Sequence, residues 1–215
     1  MGLDEALLAG APEGATVLRF YRWSRAGVTF GYSQRWQLAG DLARARGMNE
    51  ADLVRRATGG GVVYHDGDVT FSVVFPWERL SAPELIYKNI HRGVHLGLKS
   101  AGVLSRIWSG APRSAEGSAL EKACFSGVPE KMDLVRADGL KVLGGALRRQ
   151  GKRGLYQGSF RPDLLAVSIP AIQSAISKGL EMEFGEISFS ISPKVFEKGE
   201  SLAEKYRSDR WNKRR

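Results

Sequence analysis

Cysteine is nearly absent from this 215-residue chain, in which Cys124 is the only one. A single cysteine cannot form an internal disulfide, and it cannot supply a cysteine-rich metal site on its own. Every apolar run is broken by a charge, Gly or Pro well short of the ~20 residues that a membrane span needs. The N-terminal stretch carries Asp4 and Glu5 where a secretion signal would be positively charged. We therefore expect a soluble, cytoplasmic protein without a membrane segment.

The chain also lacks internal repeats, low-complexity segments and any stretch resembling a linker. Hydrophobic residues make up 43% of it and charged residues 26%, which is enough for one sizeable core and argues against disorder. The simplest interpretation is a single domain over residues 1–215.

Positive charge exceeds negative charge by nine. The excess is concentrated in residues 204–215 and in residues 148–153, where a solvated helix end and a solvated loop are the simpler interpretations. A charge of this size favours encounters with nucleic acid, with phosphate-bearing small molecules or with an acidic protein, and does not choose among them. Because no DNA-binding module is visible, nucleic acid is an unlikely partner.

Secondary-structure patterns alternate in blocks along the chain. β-Branched and aromatic runs predict strands at 16–23, 27–33, within 52–76 and at 154–160, and two apolar runs in 132–149 flank Asp138-Gly139, a favoured tight-turn pair. Helices are predicted at 3–8, 37–47, 170–182 and from about 192. The clearest helix opens at Ser81-Ala82-Pro83, and its predicted apolar face comprises Leu85, Ile86, Ile90, Val94 and Leu98. This order predicts an α+β fold with a mainly antiparallel sheet flanked by helices.

The stretch RRATGGGVVYHDGD, from Arg55 to Asp68, is the most informative segment. Three consecutive glycines between strands are entropically costly, so they indicate a place where backbone approaches a ligand and an arginine binds its phosphate or carboxylate. A glycine-rich hairpin with solvent-facing arginines is an equally good interpretation of this stretch alone. It is neither a phosphate-binding P-loop nor a dinucleotide fingerprint.

A second segment, DGLKVLGGALRR, places Lys141 in an otherwise apolar strand. Such a lysine usually points outward into solvent. The functional alternative is an ammonium directed into a pocket, where it would hold a carboxylate or offset developing charge.

These segments, with LDEALL, VLRFYRWSRAGVTFGYSQ and GLYQGSF in the same order, resemble the lipoate–protein ligase A family, relatives of biotin–protein ligases and octanoyltransferases. The resemblance covers roughly residues 3–160. It implies the biotin/lipoate protein ligase type of catalytic domain, in which an acyl group is transferred to a lysine of a carrier domain.

The resemblance also implies a set of site residues. Lys141 would be the essential lysine, and the ligand-binding residues would be Arg56, Gly59, Gly60, Gly61, Val62, Val63, Tyr64 and His65. In a ligase, lipoate or octanoate would attack the α-phosphate of ATP, with Mg²⁺, Arg56 and Lys141 offsetting charge. The acceptor would be a lipoyl domain of a 2-oxoacid dehydrogenase E2 or a glycine-cleavage H-like protein.

Departures from the ligase pattern leave a second chemistry open. Gly145-Ala146-Leu147 stands where the family usually has glutamine after its lysine, and the Asn-Asp pair common in ligases is not found. Cys124 resembles the nucleophile of cysteine-dependent octanoyltransferases, which need no ATP, although a lone cysteine beside Phe125 could also be a buried hydrophobe.

An ATP-dependent ligase is the first expectation, and a transferase that uses Cys124 is the alternative. The length leaves no room for the C-terminal accessory domain of larger ligases, so a separate accessory subunit is conceivable. No metal site is expected, because His91 and His95 have no third ligand at a suitable spacing.

Overall fold

The computed structural model describes residues 1–77, 82–110 and 128–214. The strands in these residues are β1 (Thr16–Tyr21), β2 (Gly27–Phe30), β3 (Leu53–Arg55), β4 (Val62–His65), β5 (Val69–Pro76), β6 (Arg106–Ile107), β7 (Leu134–Val135), β8 (Lys141–Gln150), β9 (Arg153–Phe160) and β10 (Ile187–Ser188). The helices are α1 (Gly2–Gly10), α2 (Trp36–Arg44), α3 (Pro83–Ser100), α4 (Ile169–Phe184), α5 (Pro193–Arg207) and α6 (Asp209–Asn212), and short 3-10 turns cover Glu50–Asp52 and Pro162–Leu165.

The main sheet has seven strands in the order β10-β1-β5-β9-β8-β7-β6. All its neighbouring pairs are antiparallel except β1 with β10. A smaller sheet has the order β3-β2-β4, with β3 parallel and β4 antiparallel to β2. The predicted α+β fold with a mainly antiparallel sheet is therefore confirmed.

One face of the large sheet carries the apolar core. Side chains alternate along a strand, so Phe71, Val73 and Phe75 of β5 share this face, and they pack in one cluster with residues of α3 and α4. These two helices approach closely through glycines, since a Cβ on Gly97 would lie 1.9 Å from the Ala175 carbonyl oxygen. An alanine there would force the helices apart.

The opposite face of the large sheet is apolar where Val17, Val74 and Leu155 pack against α1 and α5, and polar around Asp4. There the buried Asp4 carboxylate of α1 accepts hydrogen bonds from Arg19 at 2.6 Å, Ser72 at 2.7 Å and Gln157 at 2.7 Å. These donors and the Arg19 charge outweigh burial and lower the pKa of Asp4 below its ordinary value. The small sheet lies over this polar part, and residues of both sheets line the cavity described below.

The sequence patterns located most elements within a few residues. The helix predicted at 83 begins at Pro83 and buries Ile86, Ile90, Val94 and Leu98, but Leu85 is 51% exposed and does not belong to the buried face. The two-residue strands β6 and β10 have too few residues to show a pattern. Among the described residues, no helix is both long and apolar enough to cross a bilayer.

Candidate functional site

The glycine-rich loop joins β3 to β4 and is held from one side by the loop after β2. The Tyr32 amide donates to the Thr58 carbonyl at 2.8 Å, and the Gln34 side-chain amide donates to the Gly60 carbonyl at 3.3 Å. A Cβ on Gly31 would lie 2.0 Å from the Gly60 carbonyl oxygen. Gly60 itself has φ +85°, which glycine adopts without strain. Glycines at 31 and 60 thus let the two loops touch through their backbones.

Arg56 shapes this loop from inside. Its guanidinium donates to the Gly59 and Gly61 carbonyls and to Thr29 Oγ1, each at 2.9 Å, and the residue is 6% exposed. The interpretation of the segment as a hairpin with solvent-facing arginines is therefore wrong.

Arg55, the preceding residue, is also buried and binds the C-terminal segment. Its guanidinium donates to five backbone carbonyls, those of Tyr32, Gln34, Trp211, Asn212 and Arg214, at 2.7–3.1 Å for the shortest bond to each. Its backbone amide also donates to Asn212 Oδ1 at 2.8 Å. One side chain thus ties the end of the described chain to the loop that supports the glycines.

A narrow cavity of about 30 Å³ lies between the two sheets beside the glycine-rich loop. The small-sheet side contributes Thr29, Arg56, Gly60, Gly61, Val63 and His65, and the remaining lining comes from Met1, Tyr21, Thr70, Gly144, Gly145, Ala146, Gln157, Gly158 and Ser159. Gly60 is exposed whereas most of the other lining residues are buried. The cavity therefore reaches the surface at the glycine-rich loop.

At the other flank of the cavity, His65 is fixed on several sides. Its ring stacks on Trp23 at 4.2 Å, its Nδ1 lies 2.9 Å from Asp68 Oδ2, and its Nε2 lies 2.8 Å from Thr29 Oγ1. Burial lowers the pKa of His65 despite the neighbouring Asp68 carboxylate, so the ring is neutral near pH 7. The contacts fit a relay in which Arg56 donates to Thr29, Thr29 to His65 Nε2, and His65 Nδ1 to Asp68.

Lys141, at the start of β8, forms a buried ion pair. Its Nζ lies 2.7 Å from Asp133 Oδ2, with side-chain exposures of 4% and 0%. The Tyr87 hydroxyl donates to Asp133 Oδ1 at 2.7 Å and accepts from the Gly145 amide at 3.0 Å. The interpretation of Lys141 as an outward, solvated lysine is therefore wrong. Lys141 does not itself line the cavity, but Tyr87 and Asp133 connect it to Gly145, which does.

The other expected ligand-binding residues fall into two groups. Val63 and His65 of β4 line the cavity, whereas Val62 and Tyr64 alternate to the opposite face and pack in the small core with α2. The Tyr64 hydroxyl donates to the Leu42 carbonyl at 2.8 Å. Gly59 is next to the lining residue Gly60 but does not itself line the cavity. Of the residues expected to bind ligand on this strand, only Val63 and His65 therefore face the cavity.

Two further expectations concern Cys124 and the histidine pair of α3. Cys124 lies outside the described residues. His91 is buried and lies 2.7 Å from the Tyr156 hydroxyl, while His95 Nδ1 lies 3.0 Å from Ser105 Oγ. Within the described ranges there is no group of three or more metal-ligating side chains.

Sequence reasoning missed several residues of the site. Gln157 accepts from Thr58 at 2.7 Å and donates to Asp4, so it joins the glycine-rich loop to α1. Asp133 was also missed. Its signal is an acidic residue inside the apolar run MDLV, directly before the strand that pairs with the one that carries Lys141.

Comparison with known proteins identifies the arrangement. The family model of the lipoyl protein ligase A/B catalytic domain matches residues 1–178. The chain belongs to the lipoyl protein ligase A/B catalytic-domain family. An octanoyltransferase LipM from Staphylococcus epidermidis is 30% identical, with 98% of this chain and 92% of the relative covered. Another octanoyltransferase LipM, from Carboxydothermus hydrogenoformans, is 37% identical over 74% of this chain and 58% of its own length.

Solved structures give the same family. A candidate lipoate protein ligase from T. acidophilum, solved with bound lipoic acid, superposes with a TM-score of 0.77 at 25% identity, covering 99% of this chain and 92% of that one. The resemblance drawn from the sequence is thereby confirmed, and so is the expectation of a lipoate ligase or an octanoyl or lipoyl transferase.

Proposed function

We propose that this member of the family is an acyltransferase that moves an octanoyl or lipoyl group from a carrier-bound thioester to a lysine of a lipoyl domain. Cys124 would be the nucleophile. The proposal is carried by one observation: the only cysteine of the chain precedes the Lys141 strand in a KACFSG context, in a chain whose near-full-length relatives are octanoyltransferases. The acceptor would be an E2 lipoyl domain or a glycine-cleavage H-like protein.

The reaction would proceed in two balanced steps. The Cys124 thiolate attacks the carbonyl carbon of the donor thioester, an S–C bond to Cys124 forms, and the carrier thiol leaves and takes up a proton. The neutral amine of the acceptor lysine then attacks the new thioester. The amide C–N bond forms, the S–C bond breaks, and the amine proton is released to restore the Cys124 thiol.

The described site suits this chemistry. The cavity between the sheets is lined by glycines, Ala146 and Val63 together with polar side chains, and at about 30 Å³ it would have to widen to hold an octanoyl chain. The ammonium of Lys141, which Asp133 holds at 2.7 Å, would offset negative charge on the carbonyl oxygen in both steps. Arg56 would act by holding the loop at the mouth, because its guanidinium already binds two loop carbonyls.

ATP-dependent ligation, the first expectation, has less support. The relatives that cover most of this chain are octanoyltransferases, whose thioester donors are already activated and need no ATP. We therefore prefer the alternative that uses Cys124.

A thioester on Cys124 is the decisive intermediate. The purified chain is incubated with S-octanoyl-N-acetylcysteamine, an uncharged small thioester, and analysed by intact mass and peptide mapping. We expect one octanoyl adduct on the Cys124 peptide that hydroxylamine removes, and none in Cys124→Ala. Undiminished acyl transfer by Cys124→Ala would overturn the proposal.

A further inference from the structure

A cluster of positive charge surrounds an exposed aromatic ring beside the cavity mouth. Tyr32 is 44% exposed, and the guanidinium carbons of Arg214 and Arg148 lie 3.7 Å and 5.7 Å from its ring centroid. An open groove of about 770 Å³ runs past this ring and is lined by residues 32–37, Arg55, Lys213 and Arg214. We refer to Tyr32, Arg35, Arg148, Lys213 and Arg214 as the basic rim.

Carboxylates offset little of the positive charge of the rim. Within the part of the chain that the structure describes, Arg35, Arg148 and Arg214 have no carboxylate within ion-pair distance, and only Lys213 of the rim is paired, with Asp209 at 3.0 Å. In addition, the Nη2 atom of Arg214 is buried and has no hydrogen-bond partner among the described residues. Arg148 and Arg214 flank the Tyr32 ring, and Arg35 lines the adjoining groove. Such charges repel one another unless an anionic partner offsets them, so their grouping favours a binding surface over scattered, solvated charge.

The basic rim is physically joined to the mouth of the cavity. The Arg148 guanidinium donates to the Ala57 carbonyl at 3.0 Å, and the Tyr32 amide donates to the Thr58 carbonyl. Gln34, which lines the groove, donates to the carbonyl of Gly60, the exposed residue of the cavity lining. A partner seated on the rim is therefore next to the point where an acyl chain would enter.

We propose that the basic rim docks an acidic carrier protein that delivers the acyl thioester, a partner that rests on the function proposed above. Two guanidinium groups at an aromatic ring and two further cations along the groove match the carboxylates of a folded acidic surface, and complementary charge of this kind raises association rates. The chain's net charge of +9 acts in the same direction. Donor docking would thus be set by the rim, and acyl recognition by the cavity.

The test compares two variants with the same change in charge. Arg35→Glu/Arg214→Glu reverses the rim, and Lys194→Glu/Lys198→Glu reverses two exposed positions of α5 outside the groove. We expect the rim variant to lose about ten- to a hundredfold in kcat/KM with an octanoyl-carrier protein, to lose most of its salt dependence, and to keep wild-type rates with S-octanoyl-N-acetylcysteamine. The α5 variant should stay within about threefold for both donors.

Several results would overturn the proposal. An equal loss of kcat/KM with both donors would show that the rim has a structural role. Equal effects of the rim variant and the α5 variant would show general charge attraction. A loss seen only with the lipoyl-domain acceptor would place the acceptor, and not the donor, on the rim. A binding measurement with Cys124→Ala separates two further cases, using the carrier protein with and without its phosphopantetheine arm. If reversing the rim weakens binding only of the carrier that has the arm, the surface binds the arm's phosphate instead. If the rim affects affinity but no donor acylates Cys124, docking holds and the proposed function fails.

Discussion

Replacing Arg55 by lysine tests how the glycine-rich loop is supported. Arg55 is 1% exposed and donates to five backbone carbonyls, two in the loop after β2 and three at the end of the described chain. Lysine keeps the charge but has only three donors, so at least two carbonyls lose their partner. With hydrogen bonds to charged groups worth ~1.5 kcal/mol or more each, Arg55→Lys should lower the free energy of unfolding by about 3 kcal/mol.

That loss corresponds to a fall of about 6–12 °C in the unfolding midpoint of a protein of this size. It is measured by urea denaturation followed by tryptophan fluorescence and by thermal circular dichroism. Arg25→Lys is the matched control, because the Arg25 side chain is 71% exposed and bonds only to Asp52 among the described residues. The control should change stability by less than ~0.5 kcal/mol. An Arg55→Lys variant as stable as the control would refute the reasoning.

Three further predictions concern the site and its support. Gly31→Ala would bring a Cβ within 2.0 Å of the Gly60 oxygen, so acyl transfer should fall at least about tenfold with an unchanged circular dichroism spectrum; full activity would contradict this. Asp133→Asn removes the carboxylate from a buried ion pair with Lys141. It should lower the free energy of unfolding, measured by urea denaturation, by about 3–5 kcal/mol and abolish acyl transfer. Unchanged stability and unchanged transfer would contradict this role of Asp133. Burial lowers the pKa of His91 from 6.5 to about 4. The unfolded chain therefore takes up a proton at a higher pH than the folded protein does, and the free energy of unfolding should fall by about 3 kcal/mol between pH 6.5 and 4. A His91→Gln variant with the same acid dependence would refute this role of His91.

The sequence predicted the elements and the motif better than the side-chain directions. Pro83 and the Asp138-Gly139 turn act locally, so helix α3 begins and the chain turns where expected. The role of Arg55 depends on residues more than 150 positions away in the sequence, which no local pattern reveals. Val62 and Tyr64 were expected to bind ligand, but strand alternation points them to the face away from the cavity.

Ion pairing explains why Lys141 is buried although its sequence pattern is that of a solvated lysine. Lys141 has the pattern of an outward lysine in a strand. Its burial follows from Asp133, directly before the neighbouring strand β7, whose carboxylate compensates the desolvation of the ammonium. A pairing of this kind becomes visible only when the register of β7 and β8 is known.

The central claim is that acyl groups pass through Cys124 without ATP. The most direct measurement is the intact mass of a lipoyl-domain acceptor in paired reactions, one with octanoyl-carrier protein alone and one with lipoate, ATP and Mg²⁺. The account predicts an octanoyl mass gain in the first reaction, abolished in Cys124→Ala, and no gain in the second. A lipoyl gain in the second reaction only, undiminished in Cys124→Ala, would make the protein a ligase and contradict the account.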